Sequence, residues 1–176
     1  MISVAVIGGG ASGVAFAVAL KQKRPDIEVT VFEKNPKVLK KILVTGNGRC
    51  NILNFDAVAE NYFEACEFVR PAVEKYTPKK TEAIFRDMGL LLMSEQEGRA
   101  YPISQTAASV VCVLSSAAER AGVKVFTDTP VKSIKKSQGG FVINNDKSFD
   151  FAVIACGGAA APKQGTDGSS FELFKA

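Results

Sequence analysis

The residues with a spacing suited to chemistry stand at the start of the chain. "GGGASG" sets Gly8, Gly10 and Gly13 in the pattern G-x-G-x-x-G, and Glu33 follows twenty residues after the last glycine. A dinucleotide's pyrophosphate asks for such a pattern. The first glycine allows a tight turn, the second lets the main chain approach the phosphates, and the third lets a helix lie close to a strand. A helix beginning here offers free N–H groups and the positive end of its dipole to an anion. A carboxylate at Glu33 suits ribose hydroxyls and repels a 2′-phosphate, which argues against NADP at this first site.

The elements needed to position these residues are present. "ISVAVI", Ile2 to Ile7, is a short apolar run rich in β-branched side chains, as expected of a strand buried on both faces of a parallel sheet. "VAFAVALKQK" after the glycines predicts a helix ended by Pro25 and Asp26, and "IEVTVFEK" predicts a second strand. Together they form a βαβ unit. Helices are further expected over Asn61 to Val69, over Pro78 to Met88 with Thr77 as N-cap and Gly89 beyond the end, and over Thr106 to Ala121 closed by Gly122. "VKVFT", "VKSIKK" and "FVIN" are close enough for an antiparallel meander, and "FDFAVIA" reads as another buried strand ending in "CGG". The fold class is therefore α/β: a Rossmann-like three-layer dinucleotide-binding fold with a parallel sheet, a small antiparallel β-meander crossing it, and helices.

A second chemically dense stretch is "KKILVTGNGRCNILN", Lys40 to Asn54, which gathers glycines, asparagines, an arginine and a cysteine. It is too polar and glycine-rich for a core. The fingerprint alone leaves FAD and NAD open. This stretch, and the small residues Ala155, Gly157 and Gly158 after the last strand, lean toward FAD because they let a backbone lie along a long ligand.

Composition bounds the rest. The 176 residues are 47% hydrophobic and carry a formal net charge of +4, ordinary values for a globular domain. No clustered basic stripe with interleaved aromatics reads as a nucleic-acid surface. Histidine is absent, which excludes histidine triads and histidine metal sites, and the four cysteines form no Cys-x-x-Cys pair. A reducing cytoplasmic setting, no metal, no nucleic acid and no membrane are the expectations, and no catalytic residue is assigned.

"KKILVTGNGRCNILN", "GRAYPIS", "ACGGAAAP" and "GTDGSSFEL", in that order after "IGGGASG", resemble the bacterial BaiN-like, YhiN-like or aminoacetone-oxidase-like NAD(P)/FAD-dependent oxidoreductases. The resemblance covers essentially the whole chain and is most specific at Thr45-Gly46 and Gly48-Arg49-Cys50-Asn51. It implies that Gly8, Gly10, Ser12 and Gly13 contact the FAD pyrophosphate, with Glu33 on the adenosine ribose and Lys34 beside it. It further implies Lys41, Thr45, Gly46, Gly48, Arg49, Cys50 and Asn51 along the flavin, the Val131 backbone at the adenine, and Ala155 and Gly157 closing over the cofactor. Tyr101, Cys156, Ser169 and Ser170 depart from the family's pattern, which has Phe, Thr, Asp and Gly there. Members of the family are longer, with a second domain inserted after this region and a C-terminal segment returning to the FAD site. Residues 1–176 are thus expected to be an incomplete FAD-binding domain.

The function that follows is hydride or electron transfer by flavin to or from a small substrate, with NAD(P)H as a candidate electron donor. Two other readings stand beside it: a truncated or non-catalytic dinucleotide-binding module, and an NAD-linked dehydrogenase domain.

Overall fold

The computed structural model describes residues 1–174. In chain order the regular elements are β1 (Ser3–Ile7), α1 (Ala11–Lys23), β2 (Glu28–Phe32), β3 (Leu53–Asn54), α2 (Cys66–Lys75), α3 (Pro78–Asp87), β4 (Leu92–Ser94), β5 (Arg99–Pro102), α4 (Ala107–Arg120), β6 (Lys124–Phe126), β7 (Ile134–Ser137), β8 (Gly140–Ile143), β9 (Lys147–Phe149) and β10 (Phe151–Ile154). They fall into two compact units, Met1–Ile42 together with the chain from Leu114 onward, and Leu43–Val113.

The first unit is built on a parallel sheet in the order β10-β1-β2-β6, with Ala5 opposite Thr30 and Ile7 opposite Phe32. Alternation along the strands separates two apolar sets. Ala5, Ile7 and Phe32 pack with Ile134, Ile143 and Phe149 of the antiparallel sheet β7-β8-β9, and Phe32 meets Phe149 edge to face at 5.8 Å. Val4, Val6, Val29 and Val31 alternate with that set, and α1 packs along β1 and β2 with Gly13, Val14, Ala17 and Val18 buried. Each fully buried valine contributes about 1.5–3 kcal/mol of transfer free energy relative to exposure. Helix, parallel sheet and meander are the three layers expected.

The meander is composed differently from the expectation. "VKVFT" supplies β6, which joins the parallel sheet beside β2, and the third meander strand is Lys147–Phe149, inside what reads as a turn. The reason lies at its ends. Asn144 and Asn145 both take positive φ, at 53° and 58°, giving a tight turn over Asn144, Asn145 and Asp146 that reverses the chain at once and leaves Phe149 buried in the core.

The second unit contains the antiparallel sheet β3-β5-β4, with Tyr101 on its central strand opposite Met93, and the helices α2 and α3. Thr77 caps α3 by accepting from the Lys80 N–H, and Gly89 follows at φ 98°. The helix expected over Asn61 to Val69 is displaced. Ala59–Ala65 forms 3-10 turns broken at Phe63, where φ is 47° and ψ is −120°, and the α-helix runs over Cys66–Lys75. No residue of that helix is buried, so no core stripe fixes its boundaries.

Candidate functional site

The glycine turn is assembled by contacts that only small residues permit. Gly8 takes φ 111°, and a side chain there would strike the Ala155 carbonyl at 2.6 Å. A Cβ on Gly13 would collide with the Gly8 carbonyl oxygen. Both glycines are thus required by the fold itself. Gly10 is different: nothing lies within 4 Å of where its Cβ would be, and its backbone is extended at φ −76°, ψ −175°. Its missing side chain leaves room rather than relieving an internal clash.

Gly10 is also the N-cap of α1 and offers no side-chain acceptor to the first turn. The amides of Ala11, Ser12 and Gly13 have no carbonyl of the helix to donate to. Open space at Gly10 beside unpaired helix amides is the arrangement a pyrophosphate needs, so these residues fit a dinucleotide.

Glu33 holds this turn to the end of β2. It is buried, with 8% of its surface exposed. Its Oε2 accepts from the Gly9 N–H at 2.8 Å, and Oε1 accepts from the Asn35 N–H at 2.8 Å and from Asn35 Nδ2 at 2.6 Å. A carboxylate has about four acceptor sites, so room remains for one further donor such as a ribose hydroxyl. Lys34, beside it in sequence, is paired with Asp167 at 2.9 Å and donates to Ser169 Oγ at 3.3 Å. The Ser169 hydroxyl, and then the Lys34 ammonium, hold the Asp167 carboxyl well below the usual carboxylate range.

The return strand lies against the same turn. The Ala155 N–H donates to the Ile7 carbonyl at 2.8 Å, and Cys156 Sγ donates to that carbonyl at 3.1 Å, a bond a threonine hydroxyl at this position could also make. Burial pushes the Cys156 thiol up, and the nearby Glu33 charge adds to it. Gly157 takes φ 72°, and a side chain there would meet Thr166. Val131 follows the segment that pairs with β2's extension, where the Thr129 N–H donates to the Glu33 carbonyl at 2.8 Å. Lys41 belongs to this unit and is exposed, in the run of 3-10 turns that begins at Lys40. A cavity of about 460 Å³ is lined by Asp128, Thr129, Pro130, Lys132, Ser133 and the Asn144-Asn145 turn; Val131 does not line it.

The second unit carries the other expected group. Thr45 is extended, and Gly46, Asn47, Gly48 and Cys50 all take positive φ, so the loop folds back until the Cys50 N–H donates to the Thr45 carbonyl at 3.0 Å. A Cβ on Gly46 would strike the Asn51 amide nitrogen at 2.6 Å, whereas Gly48 faces open space. Cys50 is buried, which pushes its thiol up and keeps it a poor nucleophile at neutral pH.

Arg49 is fixed from three sides. Its Nη1 donates to Glu95 Oε1 at 2.8 Å and to Gln105 Oε1 at 3.0 Å, and its guanidinium lies over the Tyr101 ring. Asn35, Asp167, Glu95 and Gln105 were not read from the sequence as site residues. Tyr101 was visible within "GRAYPIS" and Asn35 lies two residues from Glu33, but Asp167, Glu95 and Gln105 act across 46 to 133 residues with no local pattern to mark them. Among the described residues no cluster suits a metal ion, and no helix is long and apolar enough to cross a membrane.

Comparisons with known proteins agree with this architecture. Residues 2–176 match the model of the HI0933-like protein Rossmann domain. The chain is 38% identical to the 3-dehydro-bile acid delta(4,6)-reductase of Clostridium scindens, over 99% of this chain and 44% of that protein. It is 24% identical to the ribosomal RNA dihydrouridine synthase of Haemophilus influenzae, over 96% of this chain and 43% of that one. The chain therefore spans less than half the length of these curated relatives. Among solved structures, an oxidoreductase from Methanosarcina mazei superposes with a TM-score of 0.56 at 13% identity, over 99% of this chain and 62% of that chain. CtdE, solved in complex with FAD, gives 0.51 at 16% identity over 89% and 38%. At these identities the structures speak for the fold, a parallel sheet with helices and small antiparallel sheets. The match over residues 2–176 and the close relative together make this chain a member of the HI0933-like family, within its Rossmann domain.

Proposed function

We propose that this chain is the FAD-binding part of a flavin-dependent oxidoreductase that acts on a small-molecule substrate in the cytoplasm. The observation that carries the proposal is the asymmetry of the glycine turn. Gly8 and Gly13 are filled by the protein's own backbone, while Gly10 faces open space at an uncapped helix start. Family membership supports FAD as the dinucleotide, because the 38% identical relative is a reductase and CtdE shares the fold and holds FAD. Four free cysteines agree with a reducing compartment.

Flavin, when bound, supplies the hydride or electron transfer. The amides of Ala11, Ser12 and Gly13 hold the pyrophosphate, and the free acceptor position of Glu33 takes a ribose hydroxyl. The Val131 main chain faces the adenine, with Lys34, Ala155 and Gly157 around the cofactor. In the second unit Arg49 is pre-oriented by Glu95, Gln105 and Tyr101, and with Thr45, Gly46, Gly48, Cys50 and Asn51 it serves the flavin side, as does Lys41 of the first unit. A fixed guanidinium places a positive charge without loss of side-chain freedom at binding. NAD(P)H is the electron donor in this reading. The substrate is a small molecule, in line with the closer relative; the RNA-modifying relative is more distant, and no basic stripe interleaved with aromatics marks an RNA surface.

The test is a visible absorption spectrum of the purified protein, followed by titration with FAD and with NAD. Saturable FAD uptake without a response to NAD is expected. Uptake of NAD alone would turn the assignment to a nicotinamide-linked dehydrogenase, and a folded protein that takes up neither would overturn the cofactor site.

A further inference from the structure

We propose that Asn144 is the positioning residue for recognition of the adenine, holding Pro130 to Ser133 so that Val131 presents both main-chain polar groups to the base edge. The proposal rests on the FAD reading above and extends it to what enforces selectivity for the base.

Asn144 makes an unusual number of contacts to one short segment. Its Oδ1 accepts from the Lys132 N–H at 2.7 Å and from the Ser133 N–H at 3.3 Å, while its Nδ2 donates to the Pro130 carbonyl at 3.1 Å. Its own N–H donates to the Ser133 carbonyl at 2.9 Å. Thr129 is tied to Glu33 through its N–H, and Pro130 has no N–H to give. Among the described residues, Val131 is then the one member of residues 129–133 whose N–H and C=O are both without a hydrogen-bond partner. Its side chain packs on the core formed by Ile134, Ile143 and Phe149, which anchors the peptide from the other side.

A fixed N–H and C=O on one residue match adenine, whose N1 accepts and whose 6-amino group donates. Hypoxanthine reverses both: its O6 accepts and its N1–H donates. A rigid edge rejects that base because both contacts then place like polarity together, whereas a mobile edge adapts to it. Asn144 supplies the rigidity. It sits at φ 53°, which asparagine and glycine tolerate, so the amide can be removed without breaking the turn.

The experiment measures dissociation constants of the whole chain for FAD and for its deaminated counterpart, in which hypoxanthine replaces adenine. Wild type should prefer FAD by at least about tenfold, the scale of one or two mismatched hydrogen bonds. Asn144→Gly should retain cooperative unfolding while the preference falls toward unity. Asn145→Gly is the control, since Asn145 shares the turn and the positive φ but the bonds to this segment all come from Asn144, and its ratio should stay at the wild-type value. If Asn144→Gly fails to fold, Asn144→Asp keeps the acceptor and the turn, loses the bond to Pro130, and should lower the ratio. An unchanged ratio in the Asn144 variants, or an equal fall in Asn145→Gly, overturns the role of Asn144 while the cofactor reading stands. A wild type that binds neither dinucleotide overturns the cofactor reading, and this inference with it.

Discussion

The guanidinium carbon of Arg49 lies 4.0 Å from the centroid of the Tyr101 ring. Tyr101 is 5% exposed and sits on the central strand of its sheet, so it presents a rigid face on which the cation rests. Glu95 and Gln105 then set the rotation of the guanidinium in its own plane. Arg49 follows three residues of positive φ, so it also reports the shape of the loop before it.

Arg49→Lys should therefore destabilise the protein despite keeping the charge. A lysine lacks the flat guanidinium that lies on the Tyr101 ring while one of its nitrogens reaches Glu95 and Gln105, and the loss is about 0.5–2 kcal/mol. Tyr101→Phe, which preserves the ring face, should cost far less than Tyr101→Leu. Urea denaturation followed by circular dichroism orders the three variants, and equal midpoints for Phe and Leu at position 101 would show that the ring is not what holds Arg49.

Two glycines of one motif should fail in different ways. Gly10→Val meets open space and an extended backbone, so the variant should melt close to wild type while FAD affinity falls by at least about tenfold, or 1.4 kcal/mol. Gly13→Ala drives a methyl into the Gly8 carbonyl and should lower stability by about 1–3 kcal/mol before any ligand is added. Melting curves with and without FAD separate the two. A Gly10→Val variant that binds FAD normally would remove the pyrophosphate from this turn.

These contrasts show where sequence was informative. Gly8, Gly10, Gly13 and Glu33 were legible because strand, turn and helix are local, and each imposes its own spacing. The strand β9 was not, because its three residues lie between Asn145 and Asp150 and only the burial of Phe149 distinguishes them from a turn. The same holds for Arg49. Its residue type drew attention, but Glu95 and Gln105 reach it through sheet pairing that no periodicity announces. Phe63 broke an expected helix through a backbone conformation that its apolar side chain does not signal.

The buried Cys50 and the half-buried Cys156 give a pH prediction. Burial raises Cys50 and Cys156 above the ordinary 9.0, so each favours the folded state while protonated. That contribution is complete below pH 9.0 and is lost as pH rises through the higher folded values. Cys156→Ala should accordingly flatten the loss of stability between neutral pH and pH 10 relative to wild type. Alkylation mapped by mass spectrometry should label the exposed Cys112 ahead of Cys50 and Cys156 at neutral pH, and labelling of Cys50 first would contradict its burial.

The last prediction concerns Glu33, whose carboxylate has a structural and a ligand-binding role that must be separated. Glu33→Ala leaves the Gly9 and Asn35 amides without acceptors in a buried place, which costs about 1–3 kcal/mol of stability, so weakened FAD binding in that variant is ambiguous. Discrimination between phosphates is not. Adenosine 2′,5′-bisphosphate places a dianion where the ribose hydroxyl of ADP would meet Glu33, and the carboxylate repels it. Wild type should therefore prefer ADP by about tenfold or more in competition with FAD, and Glu33→Gln, which removes the charge and keeps one acceptor oxygen while its NH2 faces the other N–H donor, should narrow that preference at moderate ionic strength and lower the melting temperature. A ratio that stays constant would place the ribose away from Glu33 and leave its carboxylate to the turn alone. A ratio that collapses would assign the charge to the ligand, and a fall in melting temperature beside it would assign the hydrogen bonds to the fold.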